Sequence, residues 1–272
     1  MAALRFDSMP ACSFALKYNK SDIMEKITSR KNEYIRHLRR LAADGEYRRE
    51  EREYVCDGLK LLKEAVAFGA CVTSVLWRDS AENLTELGGA AQYVAPEELF
   101  EYASPMKNSP GPVFTVKMPA VDAGRALKNA LILETVQDPG NVGTVIRTAN
   151  ALGVDAVILT GDCADLYNPK TVRATMGAIF RQRVMSCRRD ELAAILGKNA
   201  LTLYGAALSD RARDIRTLDV KNAAVAIGSE GRGLSREMLD ACAGELIIPM
   251  QPCSESLNAA VAAALVMWEM VR

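Results

Sequence analysis

Hydrophobic and polar positions alternate in two regimes, which meet near residue 120. From about 21 to 52 the apolar residues Ile27, Tyr34, Ile35 and Leu38 form a helical stripe. Arg30, Lys31, Arg36, Arg39 and Arg40 occupy much of the remaining surface. The stretch "EYVCDGLKLLKEAVAFGACVTSVLWRD" (53–79) predicts a strand, a turn at Gly58, a helix and a second strand. "AQYVAPEELFEYAS" (91–104) predicts another short strand and helix, and "PVFTVKMP" (112–119) a last strand. Residues 21–119 therefore read as a small α/β domain behind an extension, 1–20. Pro and Gly cluster in "SPMKNSPGP" (104–112), and 120–127 reads as an interdomain linker.

From 128 to 272 continuous apolar runs alternate with helical segments. Strands are predicted at 130–136, 155–160, 182–186, 201–206, 223–228 and 245–249, and helices at 142–152, 169–177, 189–197, 235–241 and 256–271. Buried strands separated by helices imply a parallel sheet covered on both faces. Ligands in such sheets sit at the carboxyl ends of the strands. The turns there are where chemistry is to be sought.

Three of those turns stand out. In "QDPGNVGTVIRTANALGVDAVIL" (137–159), Pro139 and Gly140 break a strand and Asn141 is placed to cap the helix that follows. Val142, Val145, Ile146, Ala149 and Leu152 should face the sheet. Arg147 has Gly143, Thr144, Asn150 and Ala151 three and four residues away, which predicts open ground around its guanidinium. In "VAIGSEGRGLS" (225–235), Gly228, Gly231 and Gly233 suit positive φ or close backbone approach, and Glu230 sits between glycines. In "LIIPMQPCSESLNAAVAAALVMWEMVR" (246–272), a strand ends at Pro249, and Ser254 or Ser256 is placed to cap a final helix. That helix is apolar on nearly all sides. The pattern predicts burial on more than one side, with its Met and Trp residues in the core.

Composition narrows the chemistry. The chain has 272 residues, 49% of them hydrophobic and 25% charged, with 34 Lys plus Arg against 34 Asp plus Glu. Global charge thus names no partner, although the basic residues concentrate in 20–52. As residues alone, that run reads either as a solvated amphipathic helix pair or as a nucleic-acid face. The seven cysteines are scattered without a CxxC pair, which suggests reduced thiols in a cytoplasmic protein and no zinc site. His37 is the sole histidine, so the second half holds no Ser-His or Cys-His arrangement. No run is apolar and long enough to span a membrane, and the first twenty residues lack the apolar core of a signal peptide.

Taken together, Asn141 with Arg147, then Gly228-Ser229-Glu230-Gly231, then Ile248-Pro249-Met250 with Ser256-Leu257-Asn258, resemble the three successive motifs of the SpoU (TrmH-like) RNA ribose 2′-O-methyltransferases. The resemblance runs in order through 128–272. "ITSRKNEYIRHLRRL", "YVCDGLKLLKEAV" and "SPGPVFTVKMP" resemble the L30e-like substrate-binding domain found ahead of many such enzymes. Asp57 departs from that pattern, where Glu is commoner. The resemblance implies a SPOUT α/β fold whose last third forms a deep trefoil knot. It implies S-adenosyl-L-methionine as cofactor, held at Gly228, Ile248 and Leu257, and a catalytic set of Arg147, Asn141, Glu230, Ser256 and Asn258. In this reading Glu230 pairs with Arg147 or receives a ribose hydrogen bond. The basic residues Arg30, Lys31, Arg36, Arg39 and Arg40 then become an RNA-binding face. A homodimer without metal is implied, with ribosomal RNA preferred to transfer RNA as partner. The rival from another class is an RNA-binding assembly protein that keeps the fold without catalysis; intact motif residues speak against it. A nucleotide-binding oxidoreductase fails for want of a G-x-G-x-x-G fingerprint after any early strand.

Overall fold

The computed structural model describes residues 24–81, 87, 89–120, 125–251 and 256–272. The extension 1–20, Cys12, Cys253, Ser254 and part of the expected linker lie outside these residues. The first sheet is built from β1 (Glu25–Lys26), β2 (Glu53–Asp57), β3 (Val72–Arg78), β4 (Ala91–Ala95) and β5 (Val113–Lys117). Its helices are α1 (Glu33–Ala43), α2 (Gly45–Glu51), α3 (Leu59–Ala67) and α4 (Glu97–Ala103). The strand order is β1-β4-β3-β5-β2, with β5 antiparallel to both neighbours. The amphipathic pattern over 21–52 resolves into β1 and two helices. Asn32 caps α1 by accepting from the Tyr34 amide at 2.8 Å, and Asp44 caps α2 in the same way. Ile27 therefore precedes the helix instead of sharing its stripe. Its backbone pairs with Val94, and its side chain is buried with Ile35 and Leu38.

The second sheet contains β6 (Ala130–Glu134), β7 (Ala156–Thr160), β8 (Val184–Ser186), β9 (Thr202–Ala206), β10 (Arg213–Asp214), β11 (Ala223–Ile227) and β12 (Gly244–Ile247). All seven run parallel in the order β10-β12-β9-β11-β6-β7-β8. Every residue of β6, β7 and β11 is buried, as unbroken apolar runs require. The helices are α5 (Pro139–Leu152), α6 (Pro169–Ala174), α7 (Arg189–Lys198), α8 (Arg236–Ala241) and α9 (Ala259–Val271). Side chains of α5 and α9 share the core on one face, and those of α7 and α8 fill the other. Each fully buried Leu, Ile or Val contributes about 1.5–3 kcal/mol.

The two sheets share one core. Tyr54, Leu62, Trp77 and Phe114 of the first lie in the same cluster as Leu131, Ile146 and Val172 of the second. The Tyr54 and Tyr167 rings meet with centroids 4.7 Å apart. The buried Arg48 donates to Asp165 through Nε at 3.0 Å and Nη2 at 2.5 Å, and Arg181 pairs with Glu64. These contacts fix α6 between the sheets.

The final helix departs from the sequence expectation. Ala259, Ala263, Val266, Met267 and Met270 are buried against the chain, but Val261, Leu265 and Trp268 are 44–56% exposed. Among the described residues only one side of α9 is covered, and Trp268 stands outside the core.

Candidate active site

Adjacent strands β6 and β11 send their connections in opposite directions: the chain leaves β6 toward β7 and leaves β11 toward β12. That divergence opens a crevice at the carboxyl edge of the sheet, the place where parallel α/β folds bind ligands. The crevice has a volume of about 220 Å³ and is lined by Thr135, Gln137, Ser229, Glu230, Gly231 and Arg232.

Side chains of the three turns meet beside it. Asn141 donates through Nδ2 to Glu230 Oε1, and Asn258 donates through Nδ2 to Asn141 Oδ1 at 3.1 Å. One asparagine amide thus bridges the loops after β6, β11 and β12. The bridge is possible because Asn141 is not the helix cap. Asp138 is the cap and accepts from the Asn141 amide at 2.8 Å, with Pro139 in the first turn of α5. Capping by Asp138 leaves the Asn141 side chain free for the neighbouring loops. Asn258, and not Ser256, caps α9, accepting from the amides of Ala260 and Val261 at 3.0 and 3.2 Å. Ser256 is exposed at the start of the same turn.

The glycine loop follows a different logic from the expected one. Gly233 alone of its three glycines has positive φ, at 66°. Gly228 is required by close approach, since a Cβ there would lie 2.0 Å from the Gly233 carbonyl carbon. The turn is closed by the Gly233 amide donating to the Ser229 carbonyl at 2.9 Å. Gly231 has neither constraint.

Arg147 lies six residues beyond Asn141 on α5, about 9 Å along the axis and about 120° round it. It is exposed, and its side chain forms no hydrogen bond or ion pair among the described residues. Glu230 pairs with Asn141 instead, and the expected Glu230–Arg147 pair is not made. The small residues near Arg147 also serve other ends. A Cβ on Gly143 would come 2.5 Å from the Ala174 Cβ and 2.6 Å from the Thr171 carbonyl oxygen. Glycine there lets α5 and α6 cross closely. Asn150 accepts from Arg181 Nε at 2.8 Å.

Gly228 and Ile248 directly follow β11 and β12, the strands on either side of β9. Leu208, just after β9, is 62% exposed. Leu257 is half-buried in the turn before α9. These positions put backbone groups and apolar side chains at neighbouring strand ends, a lining that would suit a flat heteroaromatic ring and its hydrogen bonds. Among the described residues no group of His, Cys, Asp or Glu side chains could hold a metal ion.

Arg30 and Lys31, in the turn before α1, and Arg36, Arg39 and Arg40, on α1, are all exposed, and none forms an ion pair among the described residues. The guanidiniums of Arg30 and Arg39 lie over the Tyr102 ring at 4.6 and 4.9 Å, and that of Arg40 lies 3.8 Å from the Tyr47 ring centroid. Arg36 donates to the Lys31 carbonyl. The face is braced by rings and carbonyls while its charge stays available.

The sequence reading missed Glu134. It is 1% exposed, and accepts from the Ser235 amide at 2.7 Å, the Ser235 hydroxyl at 2.8 Å and Arg189 Nη2 at 2.6 Å. It ties the end of the glycine loop to β6. A carboxylate closing an otherwise apolar strand was the available signal. Thr135, held at φ 57°, and Arg232 of the crevice wall carried none.

An α/β chain with polar side chains gathered from three loops over the switch point of a parallel sheet is the class that the fold and site define. A model of the SpoU rRNA Methylase family matches residues 128–268. The chain belongs to that family of methyltransferases. It is 30% identical over 248 residues to the 23S rRNA (guanosine(2553)-2′-O)-methyltransferase RlmP of Bacillus subtilis (strain 168), covering 91% of this chain and 99% of the relative. It is also 30% identical over 270 residues to the 23S rRNA (uridine(2479)-2′-O)-methyltransferase of Streptomyces viridochromogenes, covering 91% and 92%. Among solved structures, the AdoMet-bound rRNA methyltransferase from Sinorhizobium meliloti superposes with a TM-score of 0.81 at 26% identity, over 91% and 97% of the chains.

Proposed function

We propose that the protein transfers a methyl group from S-adenosyl-L-methionine to a ribose 2′-hydroxyl of ribosomal RNA. The observation that carries this reading is the Glu230–Asn141–Asn258 chain of hydrogen bonds, which joins three loops at one strand edge. Two ribosomal RNA 2′-O-methyltransferases span nearly the same length, which supports the reaction. Their targets differ in nucleotide and base, so shared motifs do not name the position modified.

Gly228, Ile248 and Leu257 would hold the cofactor through backbone groups. The bound sulfonium supplies an already activated methyl group, so no protein nucleophile is needed. The acceptor hydroxyl has to be aligned and its developing charge stabilised. Asn141, Glu230, Ser256 and Asn258 orient the ribose. Arg147, permanently cationic, holds a phosphate and stabilises the developing alkoxide, while the hydroxyl proton passes to solvent. Its freedom from protein partners among the described residues keeps it available for that work.

The remaining parts of the reading follow from the same assignment. Residues 128–272 form the catalytic SPOUT domain with its trefoil knot, and 21–119 an L30e-like domain that delivers RNA on Arg30, Lys31, Arg36, Arg39 and Arg40. Two copies pair through the exposed apolar side of α9, which otherwise leaves Val261, Leu265 and Trp268 in water. No described helix is long and apolar enough to cross a membrane. The ribosomal substrate suits the cytoplasm.

The experiment is transfer of labelled methyl to total RNA from a strain lacking the gene. Label in one ribosomal RNA, retained on the ribose after base removal and lost with Arg147→Ala, is the expected result. Absence of label in naked RNA and in ribosomal subunits, with the cofactor bound, refutes it.

A further inference from the structure

A second cleft, away from the three motifs, lies at the seam between the two sheets. Its volume is about 180 Å³, and it is lined by Asp57, Lys60, Leu61, Pro110, Arg173 and Met176 together with Gly58. Asp57, Lys60 and Leu61 come from the end of β2 and the start of α3, Pro110 from the loop before β5, and Arg173 and Met176 from the end of α6. The walls are held firmly. Gly177, next to Met176, packs so closely on α3 that a Cβ there would lie 2.8 Å from the Glu64 Cγ. The shared core beneath fixes the spacing of α3 and α6.

The chemistry of the lining is mixed in an ordered way. Lys60 and Arg173 are exposed at the rim, and their side chains form no hydrogen bond or ion pair among the described residues, although the Arg173 charge acts on Asp57. Met176 is 41% exposed and held at φ 50°, a conformation that a side chain rarely adopts. With Leu61 and Pro110 it supplies apolar walls. The floor is a carboxylate: Asp57 accepts from the hydroxyls of Ser109 at 2.5 Å and Ser104 at 2.7 Å, one on each oxygen. A carboxylate offers about four acceptor positions, so about two remain. Burial pushes the Asp57 carboxyl up, against the two hydroxyl bonds and the nearby Arg173 charge.

A bare anion does not fit, because the Asp57 floor repels it. An apolar ligand does not fit either, because it leaves the carboxylate unserved. A nucleotide has the three features required together: an anionic phosphate for the rim, a flat ring for the walls, and N–H donors for the floor. We propose that this seam is a second RNA contact, seating one unpaired nucleotide near the modified one and accepting an exocyclic amino group of its base on Asp57. This rests on the ribosomal RNA reading above. Arg173 and Arg147 lie on α6 and α5, which cross at Gly143, so one strand of RNA could touch both. Unpaired, splayed nucleotides are the part of RNA whose base edges proteins read.

The test is fluorescence anisotropy with single-stranded oligo(A), oligo(C) and oligo(U) over a range of salt, with cofactor affinity and Tm as controls. Adenine and cytosine carry an exocyclic amino group and uracil does not. Wild type should bind oligo(A) and oligo(C) about tenfold more tightly than oligo(U), the worth of one hydrogen bond to a charged group. Asp57→Asn should bring the three within about twofold. Arg173→Ala should weaken all three alike and reduce the salt slope by about 0.7, the loss of one phosphate contact on a single strand. Met176→Gly removes the wall and relieves the positive φ, so RNA binding should fall while Tm holds or rises. It also carries the test if Asp57→Asn proves unstable. Unchanged base preference in Asp57→Asn, unchanged salt slope in Arg173→Ala and unchanged binding in Met176→Gly would overturn the seam site alone, since wild type still binds RNA. Wild type that binds neither the oligonucleotides nor ribosomal RNA would overturn the RNA reading and the seam with it.

Discussion

Asn258 has two separable duties, and substitution can remove one while keeping the other. Its Oδ1 caps α9 by accepting from the Ala260 and Val261 amides at 3.0 and 3.2 Å, while its Nδ2 donates to Asn141 at 3.1 Å. Alanine loses both. The cap is worth about 1 kcal/mol and the hydrogen bond about 1 kcal/mol more. At about 2–4 °C per kcal/mol for a chain of this size, Tm should fall by about 5 °C. Aspartate keeps the cap, at which it is as good as asparagine, and adds a charge favoured at a helix N-terminus. Its Tm should stay within about 2 °C of wild type. Yet the carboxylate introduced by Asn258→Asp cannot donate. The new carboxylate oxygen would then face Asn141 Oδ1, acceptor against acceptor, while Asn141 Nδ2 stays on Glu230. The chain from Glu230 that we propose orients the ribose breaks, and methyl transfer at saturating cofactor should drop about 10–100-fold, or about 1.4–2.7 kcal/mol of transition-state stabilisation. Single-turnover transfer of labelled methyl and calorimetry on both variants measure the two duties separately. An Asn258→Asp enzyme within about twofold of wild-type rate refutes the relay. One that melts with the alanine variant refutes the cap.

Further outcomes follow from the same contacts. Gly228→Ala forces a Cβ to within 2.0 Å of the Gly233 backbone, so the loop must open. Titration calorimetry should show cofactor affinity down by at least about tenfold, and unchanged affinity would separate this loop from the cofactor. Arg48→Met strands Asp165, which is 30% exposed. The loss should be about 2–3 kcal/mol, less than for a fully buried pair, and Asp165→Leu on top should restore part of it in urea unfolding. A single variant as stable as wild type would show that the ion pair does not hold the sheets together. Burial alone would raise the Glu53 carboxyl, but hydrogen bonds from His37, Thr73, Lys117 and Thr115 outweigh it and hold the value at about 2, against 4.5 unperturbed. Because the folded value is the lower one, Glu53 stabilises fully above about pH 5, and this contribution is lost as pH falls toward 2. Tm should therefore decline more steeply below pH 5 in wild type than in Glu53→Gln; parallel profiles would contradict the assignment.

The sequence by itself determined the sheet and the three turns, because those depend on local order. Period and breakers placed the buried strands over 130–134, 156–160 and 223–227 within a residue or two, and glycine, proline and asparagine marked the loops after them. Motif order also pointed to Asn141, Glu230 and Asn258, which the fold then brings within hydrogen-bonding reach. What tertiary structure decided was the use of each group. Asn141 is free to bridge only because Asp138, three residues earlier, takes the cap; Pro139 at the first helical position was the local sign of it. Gly143 reads as a clearing for Arg147 until α6 is seen to cross there, and α9 reads as wholly buried until one apolar side is found facing water. The seam that unites Asp57 with Arg173 joins residues more than a hundred positions apart. A pattern in one dimension records which residues prefer to be buried or to turn. Which partner each one meets depends on strand order and helix crossing, and those are set by packing across the whole chain.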